Sequence, residues 1–135
     1  MISGLAHINL LVPEGTLSQA REFYCDTLGL TAVPVPVAQV ETTAWYNIAD
    51  GPQQVHIGFG VNEPDSPRHP CFRLGSLDDL QNLQKKIWEH HLRGGSAAPV
   101  QVDKPGGPIS GEMTAEYPSR FFARDFAGNR LEFSL

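Results

Sequence analysis

SRFFARDFAGNRLEFS, residues 119–134, predicts a β-hairpin near the end of the chain. Phenylalanine-rich runs flank DFAGN at residues 125–129, a segment of turn-forming residues. Because successive side chains of a strand point to opposite faces, Leu131 and Phe133 share one face while Arg130 and Glu132 share the other. From this strand alone, the simplest interpretation of Glu132 is an exposed glutamate on a half-solvated sheet.

Three histidines occupy similar positions in other predicted strands. His7 lies in LAHINLLV (residues 5–12), His56 in QVHIGF (residues 54–59) and His69 in HPCFRL (residues 69–74). In each segment the period of two places the histidine on the face opposite the apolar side chains. Four such strands could bring three imidazoles and the Glu132 carboxylate to one metal ion. This donor set suits Zn, Fe, Ni, Co or Mn, and it suits Mg or Ca poorly.

The composition indicates one folded domain and argues against several classes of function. Of the 135 residues, 41% are hydrophobic and 19% are charged, as in an ordinary globular protein. The net charge of −5 argues against binding to nucleic acid, which depends on clustered lysine and arginine. No apolar run approaches the roughly 20 residues that span a bilayer, and the N-terminus lacks the pattern of a secretory signal. We therefore expect a cytoplasmic protein without membrane or nucleic-acid partners, with Cys25 and Cys71 reduced and outside any metal or redox motif.

The order of predicted elements repeats once along the chain. The first half predicts a strand at 5–12, a helix from a cap at Thr16 or Ser18 to about Leu28, and strands at 31–37, 41–48 and 53–59. A linker at 60–68 follows. The second half predicts a strand at 69–74, a helix from Ser76 to about Leu92, a strand at 98–102, a loop at 103–118 and the final hairpin. We therefore predict two βαβββ modules, residues 1–62 and 68–135, in a single domain.

Local signals refine the predicted elements. The prolines at positions 34 and 36 confine the second strand to a sheet edge or a bulge. Gly29 ends the first helix. His90 and His91 close the second helix, where we expect them to face water and to interact favourably with the helix dipole. The predicted buried stripe of the second helix comprises Leu80, Leu83, Ile87 and Leu92.

Five motifs occur in a characteristic order: HINL at 7–10, AREFYCDTLGL at 20–30, VHI at 55–57, RHPCF at 68–72 and GNRLEF at 128–133. His7 and His69 lie 62 positions apart in the first strand of each half, and His56 and Glu132 lie in the last strands. Taken together, the motifs resemble the vicinal oxygen chelate superfamily, also called the glyoxalase/bleomycin-resistance/extradiol-dioxygenase superfamily, over essentially the whole chain. One departure is Phe126, which stands where the family usually has a proline in the turn. The resemblance implies an α+β fold of two tandem βαβββ modules that form a cupped, partly closed mixed sheet with helices outside, around a divalent metal.

The resemblance leaves two ligand sets open. Glyoxalase I-like members use all four matching positions, usually with an acid where this chain has His56. Extradiol dioxygenases and fosfomycin-modifying enzymes use the positions of His7, His69 and Glu132, a triad that leaves coordination sites open for substrate. The resemblance therefore implies His7, His69 and Glu132 as ligands, with His56 as a fourth ligand or a neighbouring acid/base group.

The resemblance favours a metal-dependent lyase, isomerase or dioxygenase that chelates a small oxygenated substrate through two oxygens. His56 and Glu132 are the candidate catalytic residues. Five further residues follow the pocket-facing pattern and are candidates for substrate binding, with surface salt bridges as the alternative for the arginines: Asn9, Trp45, Arg73, Arg120 and Arg124. The rival function is non-catalytic sequestration of a drug or metabolite, as in bleomycin-resistance members. A homodimer is also implied, since many relatives pair their modules between two chains.

Overall fold

The computed structural model describes residues 1–112, 114–116 and 119–135. The predicted loop at 103–118 thus includes three positions, Met113, Tyr117 and Pro118, that lie outside the described residues. The chain divides into two compact units, Met1–Asn62 and Glu63–Leu135. Each unit contains a four-stranded mixed sheet, as the two predicted βαβββ modules require.

The first unit builds its sheet from strands β1 to β4. In chain order its elements are β1 (His7–Val12), helix α1 (Leu17–Arg21), a π-helical segment (Glu22–Thr27), β2 (Thr31–Val33), a 3₁₀ turn (Val37–Gln39), β3 (Ala44–Asn47) and β4 (Gln54–Phe59). The strand order is β1-β4-β3-β2, with β1 parallel to β4 and the other pairs antiparallel. The proline-flanked β2 therefore lies at an edge of the sheet, as predicted.

The second unit repeats this topology. Its elements are β5 (Cys71–Arg73), helix α2 (Leu77–Arg93), β6 (Gln101–Val102), β7 (Arg120–Arg124) and β8 (Arg130–Ser134). The order is β5-β8-β7-β6, with β5 parallel to β8 and the remaining pairs antiparallel. In both units the first and last strands are thus parallel neighbours. Side chains on one face of the first strand can therefore reach those of the last strand.

Aromatic side chains cover the apolar face of each sheet. In the first unit the ring of Tyr24, from the π-helical segment, stacks on Tyr46 of β3 with centroids 6.0 Å apart. In the second unit Phe121 of β7 stacks on Phe133 of β8 at 4.8 Å. All four side chains are buried, so each sheet has one apolar face and one face free to carry polar groups.

The two helices begin and end differently. The Ser76 hydroxyl accepts the Asp79 N–H at 3.1 Å and caps α2, and Gly94 at φ +76° ends it. Thr16 holds the N-cap position of α1, yet its hydroxyl donates to the Pro13 carbonyl at 2.6 Å and leaves the helix uncapped. The predicted first helix is regular only to Arg21, after which it widens into the π-helical segment. No helix of the described residues is long and apolar enough to cross a membrane.

Two expectations for α2 are wrong. Leu92, predicted to be buried, is 66% exposed, whereas His90 is 1% exposed and occupies the helix face that packs inward. His91 is half-buried, and its ring Nδ1 lies 2.8 Å from the Pro99 carbonyl oxygen. The buried face of α2 therefore continues from Ile87 to His90, because residues three positions apart lie on the same side of a helix.

The hairpin turn depends on the buried side chain of Asp125, which is 0% exposed. One carboxylate oxygen accepts the backbone N–H groups of Ala127 and Asn129, both at 2.9 Å. The other accepts the Asn129 side-chain amide at 2.9 Å. These bonds fix the turn that aligns β8 with β7.

Replacing Asp125 with alanine should lower the free energy of unfolding by about 2–3 kcal/mol, because buried backbone donors lose their acceptor. Urea denaturation checks this expectation. The matched control is Asp26→Ala, at an exposed position, and it should change the stability little. Equal losses for the two variants would contradict the role of Asp125 in the turn.

Candidate active site

His69 and Glu132 form an acid–imidazole pair in the second unit. The register of β5 and β8 pairs Cys71 with Glu132. His69 lies two residues before Cys71, just ahead of the first residue of β5, and on the same face of the sheet as Glu132. The Nε2 atom of His69 is 2.9 Å from Oε2 of Glu132. Their side chains are 26% and 8% exposed, respectively. Glu132 is thus a buried carboxylate, in contrast to the exposed residue that its own strand suggested.

The orientation of the His69 ring follows from its second contact. Nδ1 lies 2.7 Å from the Pro67 carbonyl oxygen, which can only accept, so Nδ1 carries a proton and donates it there. Nε2 is then the nitrogen that faces the Glu132 carboxylate. In metal-binding histidines, a carbonyl bonded to one ring nitrogen commonly orients the other toward the ion.

The spacing of the two facing atoms is that of an ordinary hydrogen bond, and it is also compatible with two donors to one divalent transition metal. Two ligand atoms at about 2.1 Å from an ion and at right angles to each other lie about 3.0 Å apart. The observed 2.9 Å between Nε2 of His69 and Oε2 of Glu132 fits this arrangement. Imidazole and carboxylate are also donors that Zn, Mn, Fe, Co and Ni accept. Among residues 1–112, 114–116 and 119–135, no group of three or more His, Cys, Asp or Glu forms a ready-made metal cluster.

Arg120 holds the other oxygen of the carboxylate. Its Nη1 lies 3.2 Å from Oε1 of Glu132, and its Nη2 donates to the Glu112 carbonyl. The guanidinium is also 5.3 Å from the centre of the Phe122 ring. Because a buried carboxylate is costly unless it is paired, Arg120 stabilises the charge of Glu132 and fixes its rotamer.

His7 and His56 form the corresponding pair in the first unit. Their rings stack at 3.9 Å with an interplanar angle of 11°, and Trp45 stacks on the other side of His56 at 4.5 Å. The register explains the stack, since Trp45 and Asn9 are the cross-strand partners of His56 on β3 and β1. His7, His56 and Trp45 therefore lie on one face of the sheet, opposite the apolar face.

A hydrogen-bonded chain orients His56. The His56 Nε2 atom is 2.8 Å from Oε1 of Gln54, and Nε2 of Gln54 donates to Oδ1 of Asn47 at 2.8 Å. Because the amide oxygen of Gln54 accepts, Nε2 of His56 carries the proton and Nδ1 keeps a lone pair. Burial lowers the pKa of His56, and the neighbouring His7 lowers it further. His56 is thus held as a neutral imidazole, the form that can bind a metal or accept a proton.

The remaining candidate residues differ in what they contact. Arg124 donates to the Gly128 carbonyl at 3.0 Å and to the Ser66 carbonyl at 3.1 Å, which ties the hairpin to the linker. Asn9 and Arg73 are exposed, and Arg73 is the strand partner of Ser134. Substrate binding by Asn9, Trp45, Arg73, Arg120 and Arg124 stays a prediction.

Gln54 and Phe122 each contact a candidate residue of their own unit, although the sequence did not single them out. Gln54 orients His56, and the Phe122 ring lies 5.5 Å from His69 in an edge-to-face contact and 4.3 Å from the Arg130 guanidinium. The period of two gave the available signal, because it places Gln54 on the face of His56 and Phe122 on the face of Arg120.

Comparison with known proteins identifies the family. The model of the Glyoxalase/Bleomycin resistance protein/Dioxygenase superfamily matches residues 4–133. A comparison with curated proteins found no match.

Three solved structures illustrate the likeness in fold. A glyoxalase family protein from Bacillus anthracis is 26% identical with a TM-score of 0.73, over 98% of this chain and 94% of that one. The fosfomycin resistance protein FosX from Listeria monocytogenes is 17% identical with a TM-score of 0.74, over 99% and 91% of the chains. A mutant of FosX complexed with Mn(II) and 1S,2S-dihydroxypropylphosphonic acid is 16% identical with a TM-score of 0.71, over 99% and 92%. The family match confirms the resemblance of the motifs, and the chain belongs to the glyoxalase/bleomycin resistance protein/dioxygenase superfamily.

Proposed function

We propose that the chain is a metal-dependent enzyme that acts on a small oxygenated substrate. The proposed ligands are His7, His69 and Glu132, with His56 as a fourth ligand or as the group that moves a proton. The observation that carries the proposal is the contact of 2.9 Å between Nε2 of His69 and Oε2 of Glu132. Both atoms can offer lone pairs to the same ion once the proton between them is lost.

A metal held by these residues would supply Lewis-acid chemistry, lowering the energy of negative charge that develops on a substrate oxygen. The chain's own residues prepare this step. The Pro67 carbonyl holds the His69 ring, and Arg120 holds the Glu132 carboxylate. Because these ligands are already in position, less conformational entropy is lost when metal and substrate bind.

His56 is the proposed proton-transfer group if it does not bind the metal. Its Nε2–H is occupied by Gln54, so the lone pair on Nδ1 is the site that can accept a proton. The lowered pKa keeps this lone pair available near neutral pH. Trp45 and His7, on either side of the ring, keep the imidazole in one orientation.

The relatives guide the choice of ion and substrate. The FosX mutant was complexed with Mn(II) and a dihydroxypropylphosphonic acid, so Mn(II) is the first ion to test. Dicarbonyl, catechol and epoxide compounds are the first substrates, because each offers oxygen atoms that a metal can bind or activate. The alternative, sequestration without catalysis, would need neither a buried Glu132 carboxylate nor a ring orientation that directs Nε2 of His69 toward it.

The protein, purified without added metal, should contain about one transition-metal ion per chain, or take one up from Mn(II), Zn(II), Fe(II), Ni(II) or Co(II). His69→Ala and Glu132→Gln should each weaken metal binding by more than the roughly 10–100-fold that loss of an outer-shell partner costs. Elemental analysis and metal titration measure both quantities, with circular dichroism to confirm folding.

The matched controls are His91→Ala and Glu89→Gln, which change the same residue types on α2. Both should bind the ion like the wild type. Absence of binding by the wild-type protein, or equal losses in the control variants, would contradict the proposal and favour the sequestering protein.

In the metal-free protein His56 should titrate below the value of about 6.5 that is usual for histidine, because burial and His7 disfavour the charged ring. His7→Ala should raise the pKa of His56, and NMR titration of the imidazole signals measures the change. A pKa of His56 at or above the usual value would contradict the neutral imidazole.

The same shift predicts a pH dependence of stability. The folded-state pKa lies below the unfolded-state value, so the unfolded chain takes up a proton first as the pH falls. The contribution of His56 to stability is therefore present above about pH 6.5 and is lost as the pH falls through its folded-state pKa. Between pH 7.5 and pH 5.5 the free energy of unfolding should therefore fall more in the wild type than in His56→Gln, as measured by urea denaturation.

A homodimer is part of the proposal. Sedimentation velocity should then give one species of twice the 14.8 kDa chain mass. A species of the single-chain mass at micromolar concentration would contradict this assembly.

A further inference from the structure

The second unit contains a cavity of about 240 Å³ on the polar face of the hairpin. It is smaller than the roughly 300–1,000 Å³ of sites for drug-sized ligands, so it suits a small molecule or one group of a larger molecule. Three of its lining residues, Phe122, Arg124 and Arg130, lie on the face of β7 and β8 that also carries Glu132. Asp65, Gln101 and Ser110 complete the polar lining.

Arg130 differs from the neighbouring arginines. Its guanidinium lies over the Phe122 ring at 4.3 Å, and the residue is half-buried. Arg120 and Arg124 bond to carboxylate and carbonyl oxygens, whereas the guanidinium of Arg130 makes neither a hydrogen bond nor an ion pair with a residue that the structure describes. A partly shielded guanidinium without a protein partner is free to donate to an anion that binds beside it.

Two uncharged donors line the same cavity. The Ser110 hydroxyl and the Gln101 carboxamide make no hydrogen bond with any residue in the described part of the chain. Only one acidic side chain, the exposed Asp65, faces two arginines in this lining. The cavity therefore offers a surplus of donors and of positive charge.

We propose that this cavity binds the oxyanion of a small organic acid, a carboxylate or a phosphonate, with Arg130 as its principal donor. The planar guanidinium can donate two parallel N–H bonds to either group. The Phe122 ring packs against one face of the guanidinium and orients it. Ser110 and Gln101 can donate to oxygens of the anion that Arg130 does not bind.

The position of Arg130 deepens the proposed function and, in this respect only, rests on it. Arg130 precedes Glu132 by two residues in β8, which corresponds to about 7 Å along the strand. Phe122 connects the two places, since it is the strand partner of Glu132 and its ring lies 5.5 Å from that of His69. If the acid group of a substrate binds Arg130, an oxygen atom a few bonds from that group in the same molecule would lie beside the His69–Glu132 pair. The inferred substrate class is a short acid that carries a second oxygenated group.

The test measures binding of acetate and of methylphosphonate to the full chain at low salt by NMR titration, after metal has been removed with a chelator and the chelator has been dialysed away. Each probe should bind saturably, and Arg130→Gln should weaken the binding by about tenfold or more. Asp65→Asn should strengthen binding, because it removes the acidic side chain from the cavity lining. The tighter of the two probes identifies the acid group.

Arg93→Gln is the matched control, because it removes the same charge from the exposed end of α2 and leaves the cavity unchanged. Its affinity for both probes should equal that of the wild type. No saturable binding by the wild type, or an equal loss in Arg93→Gln and Arg130→Gln, would overturn the inference.

Metal titration of Arg130→Gln separates this inference from the proposed function. The variant should bind the ion like the wild type. If the wild type binds no metal but binds the probes through Arg130, the anion site stands and the metal-dependent enzyme falls. If metal binds and the probes do not, the anion site falls alone.

Discussion

The charge of the buried Glu132 carboxylate constrains the second unit more than any other feature. Its side chain is 8% exposed, and an unpaired carboxylate in such a place would cost several kcal/mol. His69 faces one oxygen and Arg120 donates to the other, so each carboxylate oxygen has a partner. The Pro67 and Glu112 carbonyls in turn hold those two partners. The linker, the strand and the loop before β7 are thus tied to a single carboxylate.

The two units share one topology but carry different pairs of polar side chains. In each unit the first and last strands are parallel neighbours, and a pair of candidate ligands lies on their polar side. In the first unit the pair consists of stacked imidazoles beside Trp45, and the lowered pKa of His56 favours its neutral form. In the second unit an imidazole faces a carboxylate held by a guanidinium. In the proposed function His7, His69 and Glu132 bind the metal, and the neutral His56 either joins them or moves a proton.

Local pattern predicted the fold and the candidate ligands. The period of two placed His7, His56 and Glu132 on the polar faces, and Gly29 ended the first helical segment where expected. The predictions were weaker where distant residues decide. The partners of Glu132 depend on how β5 and β7 are aligned with β8, and the pattern within a single strand does not predict this alignment. His90 is buried and Leu92 is exposed, the reverse of what was expected. Burial in the last turn of a helix depends on the elements that pack against it, which the helix dipole does not predict.

The central claim is that His69 and Glu132 form one edge of a metal centre. Anomalous diffraction from crystals of the full chain soaked in Mn(II) tests it most directly. The account predicts a manganese peak within bonding distance of both Nε2 of His69 and an oxygen of Glu132, with Nδ1 of His69 still bonded to the Pro67 carbonyl. A manganese peak elsewhere, with the His69–Glu132 contact intact, would contradict it.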